Sequence, residues 1–208
     1  MGCTADDVAK AVRAIAAVVE EHRVELIQLD RAIGDGDHGE NLDRGFKAVL
    51  SKLDESTPDT PAAVLKIVAT TLISKVGGAA GPLYGTAFLR AATALGSAAE
   101  LAVAEVTEAL RAALGGVVAR GKAELGDKTM VDALDPAVRA AEKEQGSVAA
   151  LLSAAADAAA TGAESTVPLV ARKGRASYLG ERSAGHLDPG ARSTALLLRS
   201  LADSAAGS

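Results

Sequence analysis

Residues 60–78 read TPAAVLKIVATTLISKVGG and contain the start, the body and the end of one helix. Thr60 and Pro61 are typical of a helix start, because a hydroxyl caps free amides and proline suits the first turn. Apolar residues then recur every three or four positions, as one helix face requires. They are Val64, Leu65, Val68, Leu72 and Val76. The glycines at 77 and 78 end the pattern.

The same kind of pattern recurs along the whole chain and predicts eight helices. Their ranges are about 5–30, 41–53, 60–76, 82–95, 101–122, 130–144, 147–170 and 191–201. Thr4 with Asp7 resembles a capping pair for the first helix, and Asn41 is a candidate cap for the second. Aromatic residues make up only 2% of the 208 residues, and no segment resembles a strand. We therefore expect an all-α protein with one domain over residues 1–208.

Composition excludes several classes of function. A net charge of −5 gives no positive field for nucleic acid or an acidic membrane surface. Cys3 is the only cysteine, so no internal disulfide can form. No signal peptide or membrane-spanning segment is recognisable. These features predict a cytoplasmic protein that binds neither nucleic acid nor membrane.

The connections between the predicted helices fall into two groups. Every second chain reversal is rich in glycine and charge: loop 1 (residues 32–41, AIGDGDHGEN), loop 2 (77–86, GGAAGPLYGT), loop 3 (121–130, GKAELGDKTM) and loop 4 (172–190, RKGRASYLGERSAGHLDPG). The reversals between them are plain turns. Because antiparallel neighbours reverse at alternate ends of a bundle, loops 1 to 4 should meet at one end and form a site there.

Loop 1 and the residues just before it concentrate carboxylates. Asp30, Asp35 and Asp37 offer the hard oxygen ligands that Mg²⁺ or Ca²⁺ prefers. Helix capping would explain one such aspartate, but it does not explain three beside glycines. An EF-hand is excluded, since Glu40 stands where that loop needs glycine and Phe46 where it needs glutamate. Magnesium with a phosphate ligand is the better interpretation.

Loops 2 to 4 are candidates for phosphate binding. The glycines of loop 2 leave backbone amides free for an anion, although a tight turn between helices would look the same. Loop 3 nearly matches a Walker A sequence, but Asp127 interrupts it and a predicted helix precedes it, so we reject a P-loop. Loop 4 carries Arg172, Lys173, Arg175 and Arg182, of which Arg175 is best placed for phosphate.

The positions of the three histidines in the sequence predict different roles for them. His38 lies within loop 1, where it could bond a phosphate or a neighbouring carboxylate, and sequence alone leaves both open. His22 and His186 are expected to have structural roles.

Taken in order, IGDGDHGEN, GGAAGPLYGT, GDKTMVDALDP and RKGRASYLGERSAGHLDPG resemble the motifs of the nucleotide-binding L subunit of dihydroxyacetone kinases. The resemblance implies an eight-helix antiparallel barrel with ADP or ATP and two Mg²⁺ at one end. It assigns metal binding and catalysis to Asp30, Asp35 and Asp37. It assigns nucleotide contacts to His38, Gly39, Asn41, Gly78, Ala79, Ala80, Gly121, Thr129, Met130, Arg175, Asp188, Pro189 and Gly190.

Two positions depart from the pattern of that family. Ala80 stands where serine is common, and Glu40 where a small residue is usual. The change at Ala80 removes a hydroxyl that could reach phosphate, whereas contacts from the backbone can survive both changes.

The resemblance also implies partners. An M subunit carrying a phosphohistidine would convert bound ADP to ATP, and a K subunit would present dihydroxyacetone as acceptor, so this chain would be inactive alone. A homodimer is left open. The alternatives are a subunit of an ATP-dependent kinase for a ketose or polyol, and a nucleotide-dependent module that binds a transcription regulator.

Overall fold

A computed structural model describes residues 2–56 and 58–207 of the chain; Met1, Thr57 and Ser208 lie outside the described residues. Regular structure in this part is helical. The α-helices are α1 Ala5–Glu21, α2 Arg23–Ile33, α3 His38–Asp54, α4 Pro61–Lys75, α5 Ala80–Leu95, α6 Val103–Gly121, α7 Val131–Ala141, α8 Val148–Glu164 and α9 Pro189–Ala206. A 3₁₀ helix, Arg175–Ser183, lies in loop 4. The predicted all-α class is confirmed.

Eight of these helices form a closed ring, and α2 lies outside it. Packing runs between successive members from α3 to α9, and α1 closes the ring against α9 and α3. Helix α2 packs on α3, the 3₁₀ helix and α9. The apolar faces meet inside the ring, where Ile15, Phe46 and Leu151 are almost fully buried. The barrel thus has one extra helix at the end that carries loop 1.

Local signals placed several helix starts correctly. Thr4 and Asp7 form a capping box. The Thr4 amide donates to the Asp7 carboxylate at 2.9 Å, and the Asp7 amide donates to the Thr4 hydroxyl at 3.3 Å. The Thr60 hydroxyl accepts from the amide of Ala63 at 3.2 Å. These bonds satisfy amides that the first helical turn leaves free, and all partners lie within three residues.

Other predicted bounds were wrong. The predicted helix from residue 5 to 30 divides at His22, which ends α1 and precedes α2. Helix α3 begins at His38, so Asn41 lies inside it and caps nothing. Helix α8 ends at Glu164, six residues before the predicted end at Val170. The 3₁₀ helix of loop 4 was not predicted.

Glycine allows helices to approach closely where the ring is tight. A Cβ at Gly162 of α8 would lie 2.2 Å from the carbonyl oxygen of Asp132 in α7. A Cβ at Gly116 of α6 would lie 2.8 Å from Cγ of Arg90 in α5, whereas one at Gly115 would meet nothing within 4 Å. Of the two glycines inside α6, only Gly116 is therefore required for packing.

No helix in the described ranges has both the length and the apolar character needed to cross a membrane.

Candidate functional site

The four glycine-rich loops meet around one cavity of about 520 Å³. Each loop contributes to the lining: Asp35 from loop 1, Gly78 from loop 2, Met130 from loop 3 and Arg175 from loop 4. The four glycine-rich loops, which alternate with plain turns along the sequence, therefore lie together at one end of the barrel, as predicted. A smaller apolar cavity of about 190 Å³ lies within the ring, and Tyr84 and Met130 line both.

Three carboxylates converge at one side of the large cavity. One carboxylate oxygen from each of Asp30, Asp35 and Asp37 lies within 4.8 Å of the other two. Asp30 is buried near the end of α2, while Asp35 and Asp37 occupy the turn that follows. Like charges at this distance repel unless a cation lies between them, and hard oxygen ligands suit Mg²⁺.

Backbone contacts fix the orientation of Asp30. Its Oδ2 accepts hydrogen bonds from the amides of Asp37 at 2.8 Å and His38 at 3.2 Å, at the start of α3. A Cβ at Gly34 would lie 2.2 Å from Oδ1 of Asp30, so no other residue at 34 would leave this carboxylate in place. The cluster therefore has the donor chemistry and the space that a divalent cation needs.

His38 lies at the cavity wall and bonds to α9. Its Nε2 is 2.9 Å from the Ser193 hydroxyl oxygen. Burial lowers the pKa of His38, because the charged ring would lose its hydration, although Asp30 and Asp37 act in the opposite direction. The sequence left open a bond to phosphate or to a neighbouring carboxylate, and Nε2 contacts a hydroxyl instead of a carboxylate.

Loop 2 presents a helix start to the cavity. Helix α5 begins at Ala80, and no side chain caps it at Ala79. Gly78 has a φ of 64°, and a Cβ there would meet nothing within 4 Å, so its backbone is open to a ligand. Uncapped amides at a helix N-terminus bind phosphate well. Gly78, Ala79 and Ala80 all line the cavity.

Loop 3 is not a P-loop, as predicted, because α6 rather than a strand precedes it. Lys128 is 1% exposed, and its ammonium donates to the carbonyl oxygens of Thr166 at 2.6 Å, Val167 at 3.4 Å and His186. Burial lowers the pKa of Lys128. Its three donors are thus used on the backbone, so this lysine serves the fold.

Asp132 shapes loop 3 and was not singled out by the sequence. Its carboxylate accepts from the amides of Gly126 at 2.6 Å and Thr129 at 2.7 Å. These bonds close the loop so that Gly121, Thr129 and Met130 reach the cavity.

Loop 4 contributes both a cation and a helix start. Arg175 lines the cavity, and Asp188 caps α9 by accepting from the amide of Ala191 at 2.8 Å. Burial raises the pKa of Asp188 to about 7, against the lowering effect of that bond and of Lys128. Asp188, Pro189 and Gly190 all line the cavity.

Two predicted nucleotide contacts lie outside the cavity lining. Gly39 packs against α2, where a Cβ would lie 2.2 Å from the carbonyl oxygen of Arg23. Asn41 is buried, and its Oδ1 accepts from Nη2 of Arg44 at 2.5 Å. The structure brings the other predicted contacts together around the cavity.

Some lining residues were missed by sequence reasoning. Arg120, in the last turn of α6, lines the cavity, and its only signal was a basic residue just before a glycine-rich loop. Tyr84 lies within loop 2 and was not selected, although it is one of only two tyrosines. Ser193, which meets His38, had no signal beyond its place in a helix.

Comparisons with known proteins agree with the motif resemblance. Residues 32–203 match the DAK2 domain family. The chain is 48% identical, over 180 residues, to the ADP-binding subunit DhaL of the PEP-dependent dihydroxyacetone kinase of Escherichia coli (strain K12), covering 85% of this chain and 86% of that one. It is 45% identical to the corresponding subunit of dihydroxyacetone kinase 1 of Listeria innocua serovar 6a, covering 88% of each chain.

A solved structure shares the fold. It is the dihydroxyacetone kinase from C. freundii in complex with AMP-PNP and Mg²⁺, at a TM-score of 0.73 and 30% identity. The match covers 98% of this chain and 35% of that one.

Proposed function

Since the chain belongs to the family of ADP-binding DhaL subunits of dihydroxyacetone kinases, we propose that it holds ADP and Mg²⁺ in the four-loop cavity as the nucleotide-carrying subunit of such a kinase. The observation that carries this proposal is the meeting of three carboxylates and an uncapped helix start in one cavity. Carboxylates attract the cation and free amides attract phosphate, so one ligand satisfies both.

Asp30, Asp35 and Asp37 would hold two Mg²⁺ ions. Bound Mg²⁺ would offset negative charge on the phosphoryl group as it is transferred. Gly78, Ala79 and Gly190 would contact the nucleotide through the backbone, and Arg175 would contact phosphate through its side chain. The remaining wall around the nucleotide would come from four other residues that line the cavity: Thr129, Met130, Asp188 and Pro189.

The residues of this chain position the nucleotide rather than react with it. The cavity lining contains no cysteine, and the Lys128 ammonium is directed to backbone carbonyls. Burial disfavours the charged form of His38. The phosphoryl group would come from a phosphohistidine on an M subunit and pass, by way of bound ADP, to a hydroxyl of dihydroxyacetone on a K subunit. The chain alone would therefore show no turnover.

Nucleotide binding should be visible as stabilisation. A ligand present at a thousandfold over its dissociation constant stabilises the folded state by about 4 kcal/mol. Adding ADP with Mg²⁺ should clearly raise the melting temperature, and excess EDTA should reverse most of the rise. The Asp37→Asn variant should respond much less. A melting temperature indifferent to ADP and Mg²⁺ would contradict the proposed site.

A second experiment distinguishes the phosphoryl donor. Mixed with a K subunit and loaded with ATP, the protein should transfer one phosphoryl group and stop until a phosphorylated M subunit is added. Sustained turnover with free ATP alone would favour the ATP-dependent ketose or polyol kinase. Nucleotide binding without any transfer, together with binding to a transcription regulator, would favour the interaction module.

A further inference from the structure

We propose that the Tyr84 hydroxyl, acting through Ser193, fixes the tautomer of the His38 ring so that Nε2 accepts a hydrogen bond and Nδ1 carries the proton. Tyr84 would thus be a positioning residue for the cavity. The tautomer assignment is based on the hydrogen-bond distances around Ser193. Only its consequence for nucleotide binding rests on the proposed function.

Three hydroxyls surround the carbonyl oxygen of Gly190 in the first turn of α9. The hydroxyl oxygens of Thr194, Ser193 and Tyr84 lie 2.8, 3.0 and 3.4 Å from it. The Tyr84 oxygen also lies 2.6 Å from that of Ser193 and 3.0 Å from that of Thr194. Tyr84 is buried in α5, so this cluster links α5, α9 and, through His38, α3.

The distances determine the most favourable arrangement of protons. Thr194 donates to the carbonyl four residues earlier, as helical threonines commonly do. The shortest contact joins Tyr84 and Ser193, and the phenol is the more acidic of the two, so Tyr84 donates to Ser193. Burial raises the pKa of Tyr84 to about 12, so the phenol keeps its proton at neutral pH.

The remaining proton belongs to Ser193, which has two acceptors within reach. One is the Gly190 carbonyl at 3.0 Å, which Thr194 already serves, and the other is Nε2 of His38 at 2.9 Å. A hydroxyl that accepts a hydrogen bond becomes a better donor, so a chain from Tyr84 through Ser193 to Nε2 is cooperative. In the alternative, with Nε2 protonated, Ser193 would accept from both Tyr84 and Nε2, and its own proton would have to share the Gly190 carbonyl with the Thr194 hydroxyl.

The consequence for the cavity is a fixed donor. Since Nε2 is engaged, the second ring nitrogen, Nδ1, carries the N–H, and His38 lines the cavity with Asp30 and Asp37 beside it. A neutral imidazole N–H can donate to a phosphate oxygen without adding charge. The Tyr84 hydroxyl therefore prepares the ring before any nucleotide arrives.

Nitrogen NMR of histidine distinguishes the two tautomers directly. The full chain labelled with ¹⁵N-histidine, free of nucleotide and at a pH where His38 is neutral, should show the Nδ1–H form at His38. Single variants His22→Gln and His186→Gln identify the His38 signals. In Tyr84→Phe the population should shift toward Nε2–H. Tyr178→Phe, which removes a hydroxyl from a side chain that is 89% exposed, should leave the tautomer unchanged.

An Nε2–H ring in the wild-type protein would overturn the proposal, as would an unchanged tautomer in Tyr84→Phe. If that variant does not fold, Ser193→Ala serves as the second test, and it too should lose the Nδ1–H preference. ADP affinity should fall about fivefold in Tyr84→Phe, as expected for one hydrogen bond. Failure of ADP to bind at all would contradict the proposed function and leave the tautomer result standing.

Discussion

Nη1 of Arg175 lies 3.0 Å from Oδ2 of Asp35, so a cation from loop 4 pairs with a carboxylate of the acidic cluster in loop 1. The two residues are 140 positions apart in the sequence, since 175 − 35 = 140. The guanidinium competes with a metal ion for Asp35. It would be free to contact phosphate once Mg²⁺ and nucleotide are bound.

Arg175→Met should therefore have opposite effects on two ligands. Affinity for Mg²⁺ alone should rise about two- to fivefold, which corresponds to the interaction free energy of a partly exposed ion pair. Affinity for ADP with Mg²⁺ should fall, because a phosphate contact is lost. Isothermal titration calorimetry measures both, and Arg182→Met, also exposed in loop 4, serves as control. A loss of affinity for both ligands would contradict the competition.

Asp37→Asn tests the assignment of the metal ligands. The Asp37 side chain makes no cap bond to α3, so the substitution should leave the helical fold intact. Phosphoryl transfer with the partner subunits should fall about a hundredfold or more, because charge that stabilises the transferring group is lost. Asp35→Asn should act alike. Circular dichroism checks the fold, and Asp59→Asn, exposed just before α4, should transfer normally.

Lys128→Met tests the structural role of the buried lysine. The substitution leaves the carbonyls of Thr166, Val167 and His186 without their donor. The free energy of unfolding should fall by about 2 to 4 kcal/mol, measured by urea denaturation. Lys66→Met, at an exposed position of α4, should cost little. Unchanged stability with lost nucleotide binding would instead make Lys128 a ligand residue.

Asp188→Asn should change how stability depends on pH. In the folded protein the pKa of Asp188 is about 7, above its ordinary value of 3.8. The folded state therefore binds a proton that the unfolded state releases. The resulting stabilisation is fully present below the unfolded pKa of 3.8 and is lost as pH rises from there to about 7, by about 1.4 kcal/mol per pH unit, with little further change above 7. Asparagine keeps a cap oxygen for Ala191 and has no charge to bury.

Urea denaturation of both proteins between pH 4 and 8, with EDTA present, measures this difference. The wild-type protein should lose stability relative to Asp188→Asn as pH rises. Parallel stability curves would show that burial does not shift the pKa of this carboxyl.

Ala80→Ser addresses a departure from the family pattern. Ala80 is the first residue of α5 and lines the cavity, so a hydroxyl there should reach a phosphate. Release of ADP should slow about fivefold, as expected for one added hydrogen bond. Stopped-flow displacement of a fluorescent ADP analogue measures the rate. Ala98→Ser, in the turn after α5, is the matched control and should not alter release.

Much of the site followed from local sequence signals. The alternation of plain turns and glycine-rich loops placed loops 1 to 4 at one end of the barrel, because short connections make neighbouring helices antiparallel. Asp30 and the two aspartates of loop 1 lie within eight residues of one another, so their convergence needed only a turn. The caps at Thr4 and Thr60 bond amides three residues away.

Other features of the protein depend on contacts between residues distant in sequence, and only the tertiary structure shows them. The helix predicted over residues 5–30 divides at His22. Three residues later, Glu25 accepts a hydrogen bond from Nε of Arg192 at 2.6 Å, across 167 residues of sequence. His38 meets Ser193 across 155 residues, and Lys128 turns inward to the Thr166 carbonyl. Helical periodicity reports which face of a helix is buried, but it does not report which distant polar group that face will meet. The sequence thus determined the class of the fold and the loops that form the site, whereas packing between helices decided which of their side chains face the ligand.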